Sequence, residues 1–267
     1  MYKLDYHVHS NFSPDSKVDL EKLIINSINK NIKTLAVTDH LECDDNREYY
    51  SVEYFKNREK ILNKLHEKYK SKIEILTGAE LGQPQSNLER VDDVFKNLKL
   101  DYTLGAQHKG LNGEYLENID FTINTHENVK YYFEEVYKIT KIKDIDCLAH
   151  LDLVRRYASR MDVEIDIKKY RSEIRDILKS VIENGKGIEI NTSGMRQKMG
   201  DFMPNIEVLK MYKRLGGTIV TVGSDSHISQ NVGRDILKAY KLLEESGFKY
   251  VALYRNGKVE FEELSDN

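Results

Sequence analysis

The chain has 267 residues, of which 32 % are charged and 40 % hydrophobic, and its 41 basic and 44 acidic side chains leave a net charge of −3. Such a balance fits a soluble globular protein and excludes a basic nucleic-acid binder or a polycationic membrane-surface protein. No stretch approaches the ~20 apolar residues of a membrane span, and no basic segment leads into an apolar one as in a signal peptide. Two cysteines, Cys43 and Cys147, make no disulfide framework, so a cytoplasmic location is the expectation.

Residues 2–8 predict a strand. Residues 19–30 predict an amphipathic helix, with Leu20, Leu23, Ile24 and Ile28 on one stripe. The run 33–40 (KTLAVTDH) has buried-strand character, and 53–70 is a charged helix with Phe55, Leu62, Leu65 and Tyr69 along one face. The alternation continues with strand 73–80, helix 88–98, strand 101–108, helix 127–142, strand 146–150 and helix 166–184. Strand 187–192, a helix near 205–215, strand 218–227 and a helix near 231–246 follow. The last segment, 250–264, carries Asn256-Gly257 between two alternating runs, a β-hairpin signal.

Strands alternating with helices predict an α/β fold with a parallel sheet. Seven such units in a chain of this length favour a closed or nearly closed (β/α) barrel, with an open doubly wound sheet as the alternative. No linker, repeat or low-complexity tract divides the chain, so residues 1–267 are expected to form a single domain.

Six of the eight histidines fall at or just beyond the carboxyl end of a predicted strand: His7, His9, His40, His108, His150 and His227. In a (β/α) barrel those ends form the active-site face. His7 and His9, two apart in a strand, share one face. Carboxylates end strands too: Asp39, Glu80 and Asp225, with Asp15 in the loop after the first strand. Imidazole nitrogens and carboxylate oxygens suit Zn²⁺, Fe²⁺ or Mn²⁺. This set exceeds one tetrahedral site, so two or three divalent ions sharing ligands are expected, with at least one bridging carboxylate. The other histidines, His66 in a Lys/Glu-rich helix and His126 before a helix, are expected at the surface or in capping positions. Cys147 is expected as a small buried strand residue, and Cys43, close to the His40 loop, is a weaker ligand candidate.

HVHS (7–10), TDH (38–40), GAEL (78–81), QHK (107–109), AHLDL (149–153) and GSDSH (223–227) stand in one order along the chain. Together they resemble the motifs of the PHP (polymerase and histidinol phosphatase) superfamily, over residues 7 to 227. HLDLVRRY (150–157) and NTSGMR (191–196) are similar to its stand-alone histidinol-phosphate phosphatase branch. The resemblance implies a distorted, TIM-like seven-stranded barrel with a trinuclear metal centre. It implies that His7, His9, Glu80 and Asp225 hold one ion, that Glu80 bridges to a second held by His108 and His150, and that Asp15, His40 and His227 hold the third. Among these, Asp15 is a position where family members vary. Asp39 is expected to orient a neighbouring imidazole by hydrogen bonding.

A water between two such cations loses its proton near neutral pH and becomes a nucleophile, so the expected chemistry is phosphomonoester hydrolysis with no phosphoenzyme. The dianion calls for arginine, whose fork fits phosphate oxygens. Arg160 is the first choice and Arg196 the second, with Arg155 and Arg156 competing. The proton donor to the leaving alcohol is open among a metal-held water, Asp225 and His227. The resemblance names L-histidinol phosphate as the substrate; a nucleoside monophosphate or a protein phosphotyrosine are the alternatives. Metal-dependent amide hydrolysis through a carboxylated lysine would need a lysine at a strand end, and Lys109 beside His108 is the one in reach. A metal-stabilised binding scaffold would need fewer ligands than these.

Overall fold

The computed structural model describes residues 3–255 and 257–264. Its strands and helices, in chain order, are β1 (Leu4–Val8), α1 (Leu20–Asn29), β2 (Thr34–Val37), β3 (His40–Glu42), α2 (Val52–Tyr69), β4 (Glu74–Gly82), α3 (Leu88–Asn97) and β5 (Tyr102–Ala106). Then follow α4 (Thr125–Ile139), β6 (Cys147–Leu148), α5 (Val154–Arg160), α6 (Arg171–Glu183), β7 (Gly187–Asn191), α7 (Ile206–Arg214), β8 (Val220–Gly223), α8 (Ile236–Glu245), β9 (Tyr250–Arg255) and β10 (Lys258–Glu263).

Parallel pairing runs in the order β1-β2-β4-β5-β6-β7-β8, with β3 also on β4. β2 pairs with the first half of β4 and β3 with its second half, so the two are one stave broken at Thr38 and Asp39. The seam between β8 and β1 is closed by the amide of His9 donating to Ser226 O (2.9 Å) and that of Asp225 donating to His7 O (2.7 Å). Gly223 makes this approach possible: a Cβ there would lie 2.3 Å from the Cβ of His7 and 2.4 Å from Glu189 Oε1. The result is the distorted, nearly closed (β/α)7 barrel that the alternation and the family resemblance predict.

Local chemistry sets the helix positions. Asp19 caps α1 by accepting from the amides of Glu21 and Lys22, and Leu20, Leu23 and Ile24 are buried on the predicted stripe. The strands bury nearly every residue, as parallel strands covered on both sides must. At the amino ends of the strands lies the predicted hairpin. Arg255 pairs with Glu74 at the start of β4, the Tyr254 hydroxyl donates to Asp146 O before β6, and the amide of Gly257 donates to Asp101 O before β5. β9 is mostly buried and β10 faces solvent. Asn256 of the turn, and Tyr2 of the first predicted strand, lie outside the described residues. Two elements differ from expectation. The stretch after His150 holds α5, and the predicted strand 218–227 ends at Gly223, so GSDSH is mostly loop.

Candidate metal centre

The carboxyl ends of the strands bring His7, His9, His40, Glu80, His108, His150, Asp225 and His227 into one cluster. Glu80, on β4, is its hub. Its Oε2 lies 3.2 Å from His7 Nε2, 3.5 Å from His9 Nε2 and 2.9 Å from His40 Nδ1. Its Oε1 lies 3.2 Å from His108 Nε2 and 2.8 Å from His150 Nε2. Asp225 Oδ1 stands 3.8 Å from His7 Nε2 and 3.5 Å from His9 Nε2. Asp15 Oδ2 closes the outer side, 3.0 Å from His227 Nε2 and 3.4 Å from His40 Nε2. Among the described residues, four triplets place their ligand atoms within 4.8 Å of one another: His7-His9-Asp225, His7-Glu80-His150, His40-Glu80-His108 and His9-His40-His227. Asp15 joins none of these triplets. His150 (φ 23°) and Asp225 (φ 50°) hold left-handed backbone, as residues at functional sites do when the surrounding structure fixes them.

Hydrogen bonds behind the cluster fix three imidazole tautomers. A carboxylate can only accept, so His7 Nδ1 donates to Glu189 Oε1 at 2.7 Å and His108 Nδ1 donates to Glu42 Oε1 at 2.7 Å. Ser13 spends its one hydroxyl proton on Asp39 Oδ1 (2.9 Å), so it accepts from His9 Nδ1 (2.9 Å) and from the amide of His40 (3.0 Å). In each case the neutral imidazole keeps its lone pair on Nε2, which faces the centre. The Nε2 atoms of His7 and His9 lie 3.0 Å apart, and Glu80 Oε2 is buried with no hydrogen bond. Acceptors converging on acceptors in a buried space fit divalent cations, and outer carboxylates holding Nδ1 protons are what imidazole ligands require.

Protons respond to the same field. Burial opposes charge on His7, yet Glu189, Glu80 and Asp225 outweigh it and raise its pKa well above the ordinary value. Burial likewise opposes charge on His108, and Glu42 and Glu80 raise it to about 9. For His9, burial and the neighbouring His227 and His40 lower it to about 3. Burial disfavours ionised Glu80, but the facing imidazoles hold its pKa well below the carboxylate range.

Asp39 touches no imidazole. It accepts from the Ser10 amide (2.6 Å), the Ser10 and Ser13 hydroxyls and the buried Arg58 guanidinium (3.0 Å), and reaches His9 through Ser13. Cys43 is buried with its thiol toward Leu41 O, outside every triplet. His66 and His126 are remote, at Ile75 O and the Tyr170 hydroxyl respectively. Lys109 pairs with Asp44 at 2.6 Å rather than joining the cluster.

The arginines stand in different places around the cluster. The cluster floors a cleft of about 260 Å³ lined by Arg47 and Arg156, and neither Arg160 nor Arg196 belongs to its wall. Arg156 sits near the start of α5, with a terminal nitrogen 3.1 Å from Asp225 Oδ2 and 3.2 Å from the Ser193 hydroxyl. Arg160 is one turn further along the same face, exposed, stacked on Tyr157 and 3.4 Å from Gln197 Oε1. Arg196 donates to Ser224 O at 2.6 Å and braces the loop of Asp225 from below. Arg155 is taken up by Asp152 and Asp201.

The PHP domain family matches residues 5–193. A protein named probable histidinol-phosphatase from Clostridium acetobutylicum is 33 % identical over 92 % of this chain and 95 % of its own. The histidinol-phosphatase of Lactococcus lactis is 27 % identical over 97 % of each chain. A crystal structure of the Lactococcus lactis enzyme, in complex with zinc, L-histidinol and phosphate, superimposes with a TM-score of 0.83 at 24 % identity, over 97 % of this chain and 98 % of that one. By its profile match and by its likeness to the Clostridium acetobutylicum protein over most of both chains, the chain belongs to the PHP domain family.

Proposed function

We propose that the chain is a metal-dependent phosphomonoesterase that hydrolyses L-histidinol phosphate to L-histidinol and phosphate, acting as one domain in the cytoplasm. The observation that carries it is the set of three imidazoles whose Nδ1 protons are tied to Glu189, Glu42 and Ser13 while their Nε2 atoms converge on Glu80 and Asp225. Two or three ions held by His7, His9, Asp15, His40, Glu80, His108, His150, Asp225 and His227 agree with that arrangement. Zinc in the Lactococcus lactis structure favours zinc, and the N/O donor set also suits Mn²⁺ or Fe²⁺. Bound cations supply positive charge for the phosphate oxygens and acidify water.

The chain's own groups do the rest. Glu189, Ser13 and Glu42 keep the imidazoles in the ligating tautomer. Arg156 takes a phosphate oxygen beside Asp225, in the role first expected of Arg160 and Arg196. Asp225 and His227, on the loop after β8, stand where the proton of the leaving alcohol is managed. The substrate assignment draws on relatives that share more than nine-tenths of the chain's length. One preparation tests all of this: metal content by elemental analysis, and turnover of histidinol phosphate, a nucleoside monophosphate and a phosphotyrosine peptide. At least two equivalents of metal and the highest kcat/KM for histidinol phosphate are expected. Full activity after chelation and desalting would refute the metal assignment, and a preference for another ester would refute the substrate.

A further inference from the structure

Five carboxylates line the cleft: Asp15, Glu42, Glu80, Glu117 and Asp225. Four are committed. Glu80 and Asp225 face the imidazoles, Asp15 lies on His40 and His227, and Glu42 accepts from His108 and Gln83. Glu117 is different. It sits in a single helical turn, Leu116–Asn118, and its carboxylate has no ion pair or hydrogen bond among the described residues. Two positions earlier, the Tyr115 hydroxyl is buried in the same wall without a hydrogen-bond partner. The cations of this rim are already engaged. Lys109 pairs with Asp44 at 2.6 Å and covers the Tyr115 ring at 4.9 Å, and Arg47 pairs with Asp45.

A free carboxylate next to a phosphate site repels a plain dianion, and the repulsion disappears when the substrate brings its own cation. We infer that Glu117 and the Tyr115 hydroxyl receive the ammonium of an amino-alcohol phosphate and so select zwitterionic phosphomonoesters over purely anionic ones. Glu117 supplies the opposite charge, and the rotatable hydroxyl accepts a second N–H. Arg156 meets the phosphate end while this wall reads the other end. This role rests on the phosphomonoesterase reading above.

The test compares histidinol phosphate with its desamino analogue, which keeps the imidazole and the phosphate and lacks the ammonium. In Glu117→Gln the ratio of kcat/KM values, histidinol phosphate over analogue, falls about two- to fivefold through KM, as expected for losing one exposed ion pair. Tyr115→Phe lowers the same ratio by a smaller factor. A parent active on histidinol phosphate, with the ratio unchanged in both variants, overturns this role alone. So does an equal loss on both esters carried by kcat, which marks a wall that only supports the fold. A parent inactive on histidinol phosphate overturns the substrate reading and this role together.

Discussion

At the floor of the barrel, Tyr6, Tyr102 and Tyr254 pack ring on ring at 5.0 and 5.2 Å, and the Tyr6 hydroxyl both donates to Tyr254 O and accepts from its amide. Lys186 spends its ammonium on the carbonyls of Lys143 and Ile145. At the mouth, carboxylates and imidazole lone pairs crowd one another, and Glu80 Oε2 has no hydrogen bond at all. Donors meet acceptors at one end and acceptors meet acceptors at the other. Buried polar groups that find partners within the chain stabilise a fold, whereas a buried set left to face itself is built for something from outside.

Substitutions at the two ends should therefore separate activity from stability. Glu80→Ala removes the hub and is expected to lower kcat by about 10³-fold or more, with metal content falling on elemental analysis while circular dichroism stays native. Next comes Glu189→Gln, which swaps an obligate acceptor for an amide: metal affinity drops about 10- to 100-fold in competition with a chelator. Arg156→Ala should lower kcat/KM about 100-fold and Arg160→Ala by less than about twofold in steady-state assays; the reverse order would restore Arg160 to the phosphate. At the floor the readout changes. Tyr6→Phe loses both bonds to Tyr254 and is expected to cost about 1–2 kcal/mol in urea denaturation with kcat unchanged.

A pH-dependent effect concerns Asp146, whose burial raises its pKa to about 6 against accepted hydrogen bonds from Thr103. A carboxyl raised in the folded state contributes stability that is complete below its ordinary pKa and is lost as pH climbs through about 6. Asp146→Asn lacks that loss, so relative to the parent it gains about 2–3 kcal/mol at most between pH 4 and pH 7.5. Denaturation of both proteins across that range measures it, and parallel curves would contradict it.

The barrel and the cluster of imidazoles and carboxylates at its mouth were legible because both obey short-range rules. Strand alternation puts His7 and His9 on one face, and His40, Glu80, His108, His150 and Asp225 each stand at or near the end of a buried run. What escaped depends on contacts between distant segments. Glu189 is a lone carboxylate in the apolar run GIEIN, a signal in hindsight, but its partners His7 and His150 come from other staves. Arg58 falls on the buried face of α2 between Phe55 and Leu62, and only the fold shows that Asp39 neutralises it. From sequence, Arg160 falls in a loop after a strand and no helix shows there. Once α5 begins at Val154, Arg156 faces the cleft and Arg160 stands a turn beyond it.

The seam between β1 and β8 has a consequence for biosynthesis. His7 and His9 are synthesised long before Asp225, yet the triplet they form needs the pairing of His7 O with the Asp225 amide. Closing a loop of that length costs about 5 kcal/mol in chain entropy beyond a fixed constant, so a nascent chain gains little by trapping an ion early. A chain still short of the loop after β8 lacks the His7-His9-Asp225 and His9-His40-His227 triplets, which need residues of that loop. Binding at those two triplets would therefore wait for the loop after β8, and any shelter from proteolysis that an ion gives there would come with it.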